Sequence, residues 1–262
     1  MKWIKRFFYF LLSLYIISCG VLYLGQEKMI FFPSLLSSDF TFRNGEEIYI
    51  PIGDDMNLNA LWLRKPNSRG VILYWHGNKG SNQRCLHQAE NLYGLGYDVF
   101  MPDYRGYGKS DGSICSEEQL LADAQKVYDF LLLHYQEKKI VLLGYSLGTG
   151  IATHLAVENK PQQLFLVSPY KSMIAMKNII LPFIPSFLMK YKFRTDEKLK
   201  KVHCPITLFH GTRDELIPYE HSVFMHNQQP QKIKLIELSG ASHRSAIFSH
   251  LLRSELAQSL AG

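Results

Sequence analysis

Gly144-Tyr145-Ser146-Leu147-Gly148 fits the pattern Gly-x-Ser-x-Gly. A serine in such a turn can attack a carbonyl carbon, provided that its hydroxyl stands clear of the chain and a base lies within reach. The two glycines remove the Cβ atoms that would collide with neighbouring backbone in a sharp strand-to-helix turn. Five residues in this pattern arise by chance in many chains, so the flanks matter. The apolar run Ile140-Val141-Leu142-Leu143 precedes the turn, and a helix-forming stretch, Thr149–Glu158, follows it. The N–H of Leu147 would then sit at a helix N-terminus, where partial positive charge suits a developing oxyanion.

A nucleophilic serine needs a base and an acid to orient it. Sheets that carry a serine on such a turn take these partners further along the chain, acid first and histidine after. Four histidines follow both Ser146 and an acid near residue 214: His221, His226, His243 and His250. His221 and His226 fall in a predicted helix, and His250 in the C-terminal one. His243 lies in the loop Ser239-Gly240-Ala241-Ser242-His243 just after a strand, at the end where parallel sheets gather functional groups. Asp214 follows the predicted strand Pro205–His210 and is the matching acid, able to fix the imidazole tautomer and stabilise the imidazolium. Glu215 competes, but one residue on it is expected to point elsewhere. The second oxyanion donor belongs on the loop His76-Gly77-Asn78-Lys79-Gly80, where glycines admit close approach and the N–H of Asn78 is best placed. His76 is expected to brace that loop.

Competing chemistries lack their residues. Gly108-Lys109-Ser110 ends like a phosphate-binding loop, yet Asp103 stands where that motif needs its first glycine. No HExxH pattern and no GxGxxG after a strand occurs, and the four cysteines, Cys19, Cys85, Cys115 and Cys204, show no CxxC spacing. None of the four is expected to be catalytic, and at most one disulfide could form outside the N-terminal segment. Asp103-Tyr104-Arg105-Gly106-Tyr107-Gly108 reads as a tight post-strand turn, structural first and a candidate part of the site wall.

The elements that must position these residues alternate along the chain. Glu47–Pro51 and Asn59–Arg64 read as antiparallel strands joined by a turn at Gly53-Asp54-Asp55. Gly70–Trp75, Tyr97–Pro102, Lys139–Leu143, Gln163–Val167, Pro205–His210 and Lys232–Leu238 read as further strands. Arg84–Leu92 and Ser116–His134, the latter capped by Ser116 with Glu117 and Glu118 in its first turn, read as helices. Short apolar strands separated by helices imply βαβ units and a mostly parallel central sheet with helices on both faces, an α/β fold. Residues 170–203 interrupt the rhythm. This methionine-rich apolar stretch is broken by Pro182 and Pro185, and both a kinked crossover helix and a small lid over an acyl pocket remain open.

Composition suits one such domain of 262 residues. The net charge of +6 comes from scattered basic residues and no nucleic-acid motif accompanies it, which argues against a polyanionic partner. The N-terminus departs from this picture: Lys2, Lys5 and Arg6 precede an uncharged apolar run from Phe7 to Leu24. Eighteen helical residues would span about 27 Å, close to the hydrocarbon core of a bilayer. An uncleaved signal anchor (residues 1–25) is one reading. Ile16-Ile17-Ser18-Cys19 also resembles a lipoprotein signal in which Cys19 would be lipidated. Either way the domain from residue 26 to 262 is tethered to a membrane, on its non-cytoplasmic side because the positive flank stays in the cytoplasm. Gln26 to Pro33 reads as a short interfacial linker.

Taken in order, the anchor with Ile30-Phe31-Phe32-Pro33, His76-Gly77-Asn78-Lys79-Gly80, Asp103 to Ser110, the Ser146 pentapeptide, Ser168-Pro169-Tyr170, His210-Gly211-Thr212-Arg213-Asp214 and Gly240-Ala241-Ser242-His243 resemble the membrane-anchored α/β-hydrolase-domain proteins. These are related to the prolyl-oligopeptidase-like serine hydrolases. The resemblance spans nearly the whole chain. It implies a triad of Ser146, Asp214 and His243 and an oxyanion hole of the Asn78 and Leu147 N–H groups. The expected architecture is the α/β-hydrolase fold, with residues 170–203 as its candidate short lid-like insertion, and the chemistry calls for no metal or organic cofactor. The resemblance also implies a lipid-like acyl ester or thioester as substrate, since some members are depalmitoylating thioesterases or lysophospholipid lipases. Arg244 departs from the asparagine frequent after that histidine and would alter charge at the mouth of the site. A serine peptidase on the same triad and a non-catalytic scaffold are the rival classes.

Overall fold

The computed structural model describes residues 1–53 and 55–261; Asp54, in the middle of the expected turn, lies outside them. The chain opens with α1 (Lys2–Leu24), α2 (Gln26–Ile30) and β1 (Phe32–Pro33), followed by β2 (Glu46–Gly53), β3 (Met56–Leu63), β4 (Val71–Trp75) and β5 (Lys79–Gly80). Then come α3 (Asn82–Tyr93), β6 (Asp98–Pro102), α4 (Glu117–Leu132), β7 (Ile140–Tyr145), α5 (Gly148–Glu158) and β8 (Gln163–Val167). The last part holds α6 (Met173–Ile180), α7 (Thr195–Lys198), β9 (Ile206–Gly211), α8 (Glu220–Gln228), β10 (Ile233–Leu238), α9 (His243–Ala246) and α10 (His250–Ser259).

Eight strands form one sheet in the order β10-β9-β8-β7-β4-β6-β3-β2. β3 pairs antiparallel with β2 and β6, and the remaining neighbours are parallel. Because side chains alternate across a strand, each central strand feeds two cores. Val71, Leu73 and Trp75 of β4, with Ile140 and Leu142 of β7, pack on the face covered by α4 and α5. Ile72, Tyr74, Val141 and Leu143 pack on the opposite face with α3 and α10 residues. Burial on both faces explains why these strands read as unbroken apolar runs. Ser116 caps α4 as its sequence implies, its Oγ accepting from the Gln119 N–H at 3.0 Å. The four thiols are free, so no disulfide forms.

Gln26–Pro33 is more structured than the linker its sequence suggested. Its first residues form α2, and Phe32–Pro33 pairs in parallel with Lys79–Gly80. The physical reason is an edge left open by the loop after β4: the Asn78 carbonyl accepts the Phe32 N–H at 2.9 Å, and Pro33 has no N–H to strand. α1 is a single uninterrupted apolar helix, and almost all its side chains are exposed.

The 170–203 segment is an insertion of short pieces and not one kinked helix. Ser172 caps α6, accepting from the Ala175 N–H at 3.1 Å, and Pro182 and Pro185 prevent the helix from continuing. A 3-10 turn, Ser186–Leu188, follows before α7. The base of the insertion is clamped to the N-terminus: Gln26 donates to the Leu188 carbonyl at 2.8 Å and accepts from the Lys190 N–H at 2.9 Å, while Glu27 pairs with Lys190 at 3.1 Å.

Candidate active site

Ser146 follows the last residue of β7 with φ of +53°, a left-handed conformation that costs a non-glycine residue energy. Its neighbours show why glycine flanks it. A Cβ on Gly144 would come within 2.5 Å of the Gly148 carbonyl, and one on Gly148 within 2.1 Å of the Trp75 carbonyl. β4, the turn and α5 therefore close on one another only with both glycines, and the turn holds the Ser146 hydroxyl at the C-terminal edge of the sheet.

The sequence places a base and an acid opposite it. His243 Nε2 lies 3.0 Å from Ser146 Oγ, and His243 Nδ1 lies 2.8 Å from Asp214 Oδ2 and 3.0 Å from Oδ1. His243 is the first residue of the one-turn helix α9, not a residue of open loop, and a reciprocal cap between Ser242 and Ser245 starts that helix. Asp214 Oδ1 accepts the N–H groups of Leu216 and Ile217 at 3.0 and 2.8 Å, and its side chain is fully buried. Burial by itself would raise the Asp214 carboxyl, but hydrogen bonds from His210, His243 and the Ile217 N–H outweigh it and hold the group well below the usual carboxylate range. Asp214 thus stays a carboxylate beside the imidazole.

Asn78 and Leu147 both line the cavity in front of Ser146. Neither N–H has a protein acceptor among the described residues. The loop carrying Asn78 is braced from behind. Tyr107 donates to the Asn78 carbonyl at 2.8 Å, Tyr104 donates to the His76 carbonyl at 2.5 Å, and His76 Nε2 lies 3.2 Å from Asp103 Oδ1 in a fully buried pair. Burial pushes the Asp103 carboxyl up, against the hydrogen bonds from His76 and the Asn82 N–H. The turn after β6 is thus structural and works on the site through this loop. Lys109, the phosphate-loop look-alike, is committed to Glu47 at 2.9 Å.

Two contributions were not legible in the sequence, those of Tyr145 and His210, and the readings of Glu215 and Arg244 gain detail. Tyr145 stacks on His243 and donates to its carbonyl at 3.0 Å. His210 Nε2 lies 3.3 Å from Asp214 Oδ2, a contact whose only sequence signal is the i, i+4 spacing beyond a strand end. Glu215 does not point away entirely: its carboxylate accepts the His243 N–H at 3.1 Å, bracing the backbone while Asp214 holds the ring. Arg244 is exposed and lies outside the cavity lining, so it adds charge to the nearby surface and not to the pocket wall.

The cavity is about 300 Å3 and mostly apolar. One wall comes from Met173, Met176, Ile180 and Ile184 of the insertion. The other comes from Cys19, Leu22 and Tyr23 of α1 with Met29 and Ile30 of α2, a contribution that carries no signal in the sequence. No carboxylate lines it among the described residues; Lys177 is the charged side chain present, and its Nζ is turned to the Ile184 carbonyl at 2.6 Å.

Comparison with known proteins agrees with this architecture. A family model described as serine aminopeptidase, S33, matches residues 66–193. An uncharacterized protein of Mycobacterium tuberculosis is 31% identical over 202 residues, covering 74% of this chain and 71% of that protein. The lysophosphatidylserine lipase ABHD12 of Macaca fascicularis is 31% identical over 175 residues, 59% of this chain and 44% of the lipase, so the chain spans less than half of that relative. Among solved structures, the Pyrococcus furiosus esterase Pf2001 superposes with a TM-score of 0.70 at 20% identity, over 88% of this chain and 97% of the esterase.

Proposed function

The chain belongs to the α/β-hydrolase family of serine hydrolases, and from that premise we propose that it cleaves carboxylic esters or thioesters of apolar acyl chains through an acyl-enzyme on Ser146. The observation that carries the reading is the line Ser146–His243–Asp214, with contacts of 3.0 and 2.8 Å, opening on an apolar cavity.

Ser146 Oγ attacks the carbonyl carbon while His243 Nε2 takes its proton. Asp214 holds the Nδ1 proton and stabilises the imidazolium. The tetrahedral oxyanion rests on the N–H groups of Asn78 and Leu147, and collapse expels the alcohol or thiol, protonated by His243. Water, deprotonated by His243, then attacks the acyl-enzyme and returns Ser146 free with release of the carboxylic acid. The acyl chain occupies the methionine-lined wall, where flexible side chains adapt to apolar shapes.

The matched family model carries a peptidase description, so amide hydrolysis is the competing reading. An aminopeptidase must hold a substrate ammonium, and the absence of a carboxylate among the described lining residues favours the ester or thioester. Residues 1–25 serve as an uncleaved anchor and residues 26–262 as the hydrolase domain, held on the non-cytoplasmic side by the positive flank. The continuity of α1 into the cavity wall supports anchor over cleavage before Cys19.

The test is fluorophosphonate labelling of the detergent-solubilised chain beside Ser146→Ala and His243→Ala, followed by p-nitrophenyl esters of increasing chain length and an amino-acid anilide. Labelling of the unchanged chain alone, with ester turnover exceeding anilide turnover, is the expected result. A folded chain that neither labels nor turns over any ester overturns the proposal.

A further inference from the structure

Tyr15 lies near the middle of α1, and its hydroxyl donates to the Phe183 carbonyl at 2.8 Å. Nine residues separate Tyr15 from the end of the helix at Leu24, roughly 13 Å along its axis. The tip of the insertion therefore runs alongside α1 to a depth comparable with one leaflet's hydrocarbon layer when the helix stands upright, and less deep as it tilts.

The surface of that tip has the character of a lipid contact. Phe183 and Phe187 are 85% and 81% exposed, and Ile179 and Ile180 are 54% and 70% exposed. Isolated exposed apolar residues are ordinary, but this cluster adjoins a helix of bilayer length whose own apolar face is bare. From Met173 to Met189 the charged side chain is Lys177, which is buried and spent on the Ile184 carbonyl. Lysines at 171, 190 and 192 stand at the base, where head groups would lie.

Irregular backbone enters a bilayer only when its polar groups are satisfied. Pro182 and Pro185 carry no N–H. The carbonyls of Phe183, Ile184 and Leu188 accept from Tyr15, Lys177 and Gln26, and the Leu181 and Ile184 N–H groups bond within the segment. The break in the helix thus has these backbone groups paired within the protein, by α1, by Lys177 and by Gln26.

We propose that Met173–Met189 is a second membrane-embedded element that dips beside α1, so that a single acyl chain reaches Ser146 laterally from the leaflet, between α1 and the insertion. This rests on reading α1 as an anchor and Ser146 as the nucleophile. Cys19, Leu22 and Tyr23 on one side and Met176, Ile180 and Ile184 on the other form the walls of that passage. The substrate class is a bilayer-resident monoacyl ester or thioester whose polar head stays at the interface. The cavity of about 300 Å3 is at the small end for ligand pockets and suits one chain.

The test uses the full chain in phospholipid vesicles with Cys115→Ser and Cys204→Ser. An environment-sensitive fluorophore is placed in turn at Phe183→Cys, Phe187→Cys, Val21→Cys and Leu133→Cys. Val21 reports the anchor, and Leu133 a surface that is 80% exposed on α4's far end. Blue-shifted emission at 183, 187 and 21, quenched by lipids spin-labelled along the acyl chain, with a water-like signal at 133, is expected. Water-like emission at 183 and 187 with quenching at 21 overturns the embedded insertion while leaving the anchor standing. Absence of quenching at 21 overturns both. A second arm compares Phe183→Asp/Phe187→Asp with the unchanged chain. Hydrolysis of a long-chain ester presented in the bilayer falls by about tenfold or more, whereas a soluble short-chain ester stays within about twofold. Equal loss on both substrates, or loss on neither, overturns the lateral route; failure to hydrolyse the soluble ester in the unchanged chain faults the reading of Ser146 instead.

Discussion

The ring of Tyr145 lies against the imidazole of His243, with centroids 5.4 Å apart and planes inclined by 30°, and its hydroxyl donates to the His243 carbonyl at 3.0 Å. The residue beside the serine thus limits both the tilt of the imidazole and the path of the backbone that carries it. Glu215 fixes the same backbone from the other side through the His243 N–H. The imidazole is left aligned between Ser146 and Asp214.

Tyr145→Phe keeps the ring contact and removes the hydrogen bond. One such bond is worth about 1 kcal/mol, so kcat should fall roughly fivefold with KM little changed. Steady-state kinetics on a soluble ester measure this. An unchanged kcat would mean that Asp214 and Glu215 place His243 without help.

Asp214 sets a pH signature. Its folded carboxyl is held well below the unfolded value of about 3.9, so its contribution to stability is present above that pH and is lost as pH falls through the folded value. Asp214→Asn should therefore cost about 1.5–3 kcal/mol in urea unfolding at neutral pH, with the gap narrowing progressively below about pH 4. Activity should drop roughly 10⁴-fold, because the amide no longer fixes the imidazole tautomer. A stability gap that stays constant with pH would contradict the depressed carboxyl.

The turn offers a paired comparison. Gly148→Ala drives a methyl to 2.1 Å from the Trp75 carbonyl, backbone that has no side chain to swing aside. It should cost about 1–3 kcal/mol and displace both Ser146 and the Leu147 N–H, abolishing turnover. Gly77→Ala meets its nearest atom, Ser146 Cβ, at 3.5 Å, which is ordinary contact. Its stability should change by less than about 0.5 kcal/mol. Thermal unfolding of the two variants side by side tests the assignment of strain.

Thiol reactivity should sort by burial. Cys85 is 3% exposed and burial pushes its thiol up to about 12, while Cys204 is pushed up to about 11; Cys115 is exposed. Alkylation of the folded chain near pH 8 should modify Cys115 first and leave Cys85 unreacted, because the thiolate is the reacting form. Ester turnover should survive that modification. Peptide mapping after a timed quench reads the order directly.

Much of this architecture is written locally. The runs at Val71–Trp75 and Ile140–Leu143 declare strands because both their faces are covered, and the glycines at 144 and 148 declare the turn because no other residue fits the contacts made there. The His243–Asp214 pairing is legible from chain order and strand ends. What stayed hidden depends on long-range packing. Nothing in the sequence of α1 says that Cys19 and Tyr23 turn toward the cavity, because an apolar helix all round gives no face to read. Tyr145 occupies a position where the pattern accepts any residue. Gln26–Pro33 acquires structure from two distant partners, the insertion that clamps Gln26 and Glu27 and the edge that the loop after β4 presents to Phe32–Pro33.

That edge makes the N-terminal linker part of the site. The Asn78 side chain donates to the Ile30 carbonyl at 2.8 Å, and the Asn78 carbonyl accepts the Phe32 N–H at 2.9 Å, so the residue proposed as an oxyanion donor is bolted to the segment that follows α1. Deleting residues 1–25 leaves both bonds in place, whereas deleting 1–33 removes both. The shorter deletion should keep turnover of a soluble short-chain ester and lose preference for long chains, since the wall from Cys19, Leu22 and Tyr23 goes with it. The longer deletion should lower kcat by about 10²-fold, the scale set by misplacing one oxyanion donor. Asn78→Ala separates position from folding: it keeps the N–H, cuts only the bond to Ile30, and should reduce kcat by roughly fivefold with KM held. Equal short-chain turnover by the two deletions would show that the loop holds its geometry through Tyr104 and Tyr107 alone.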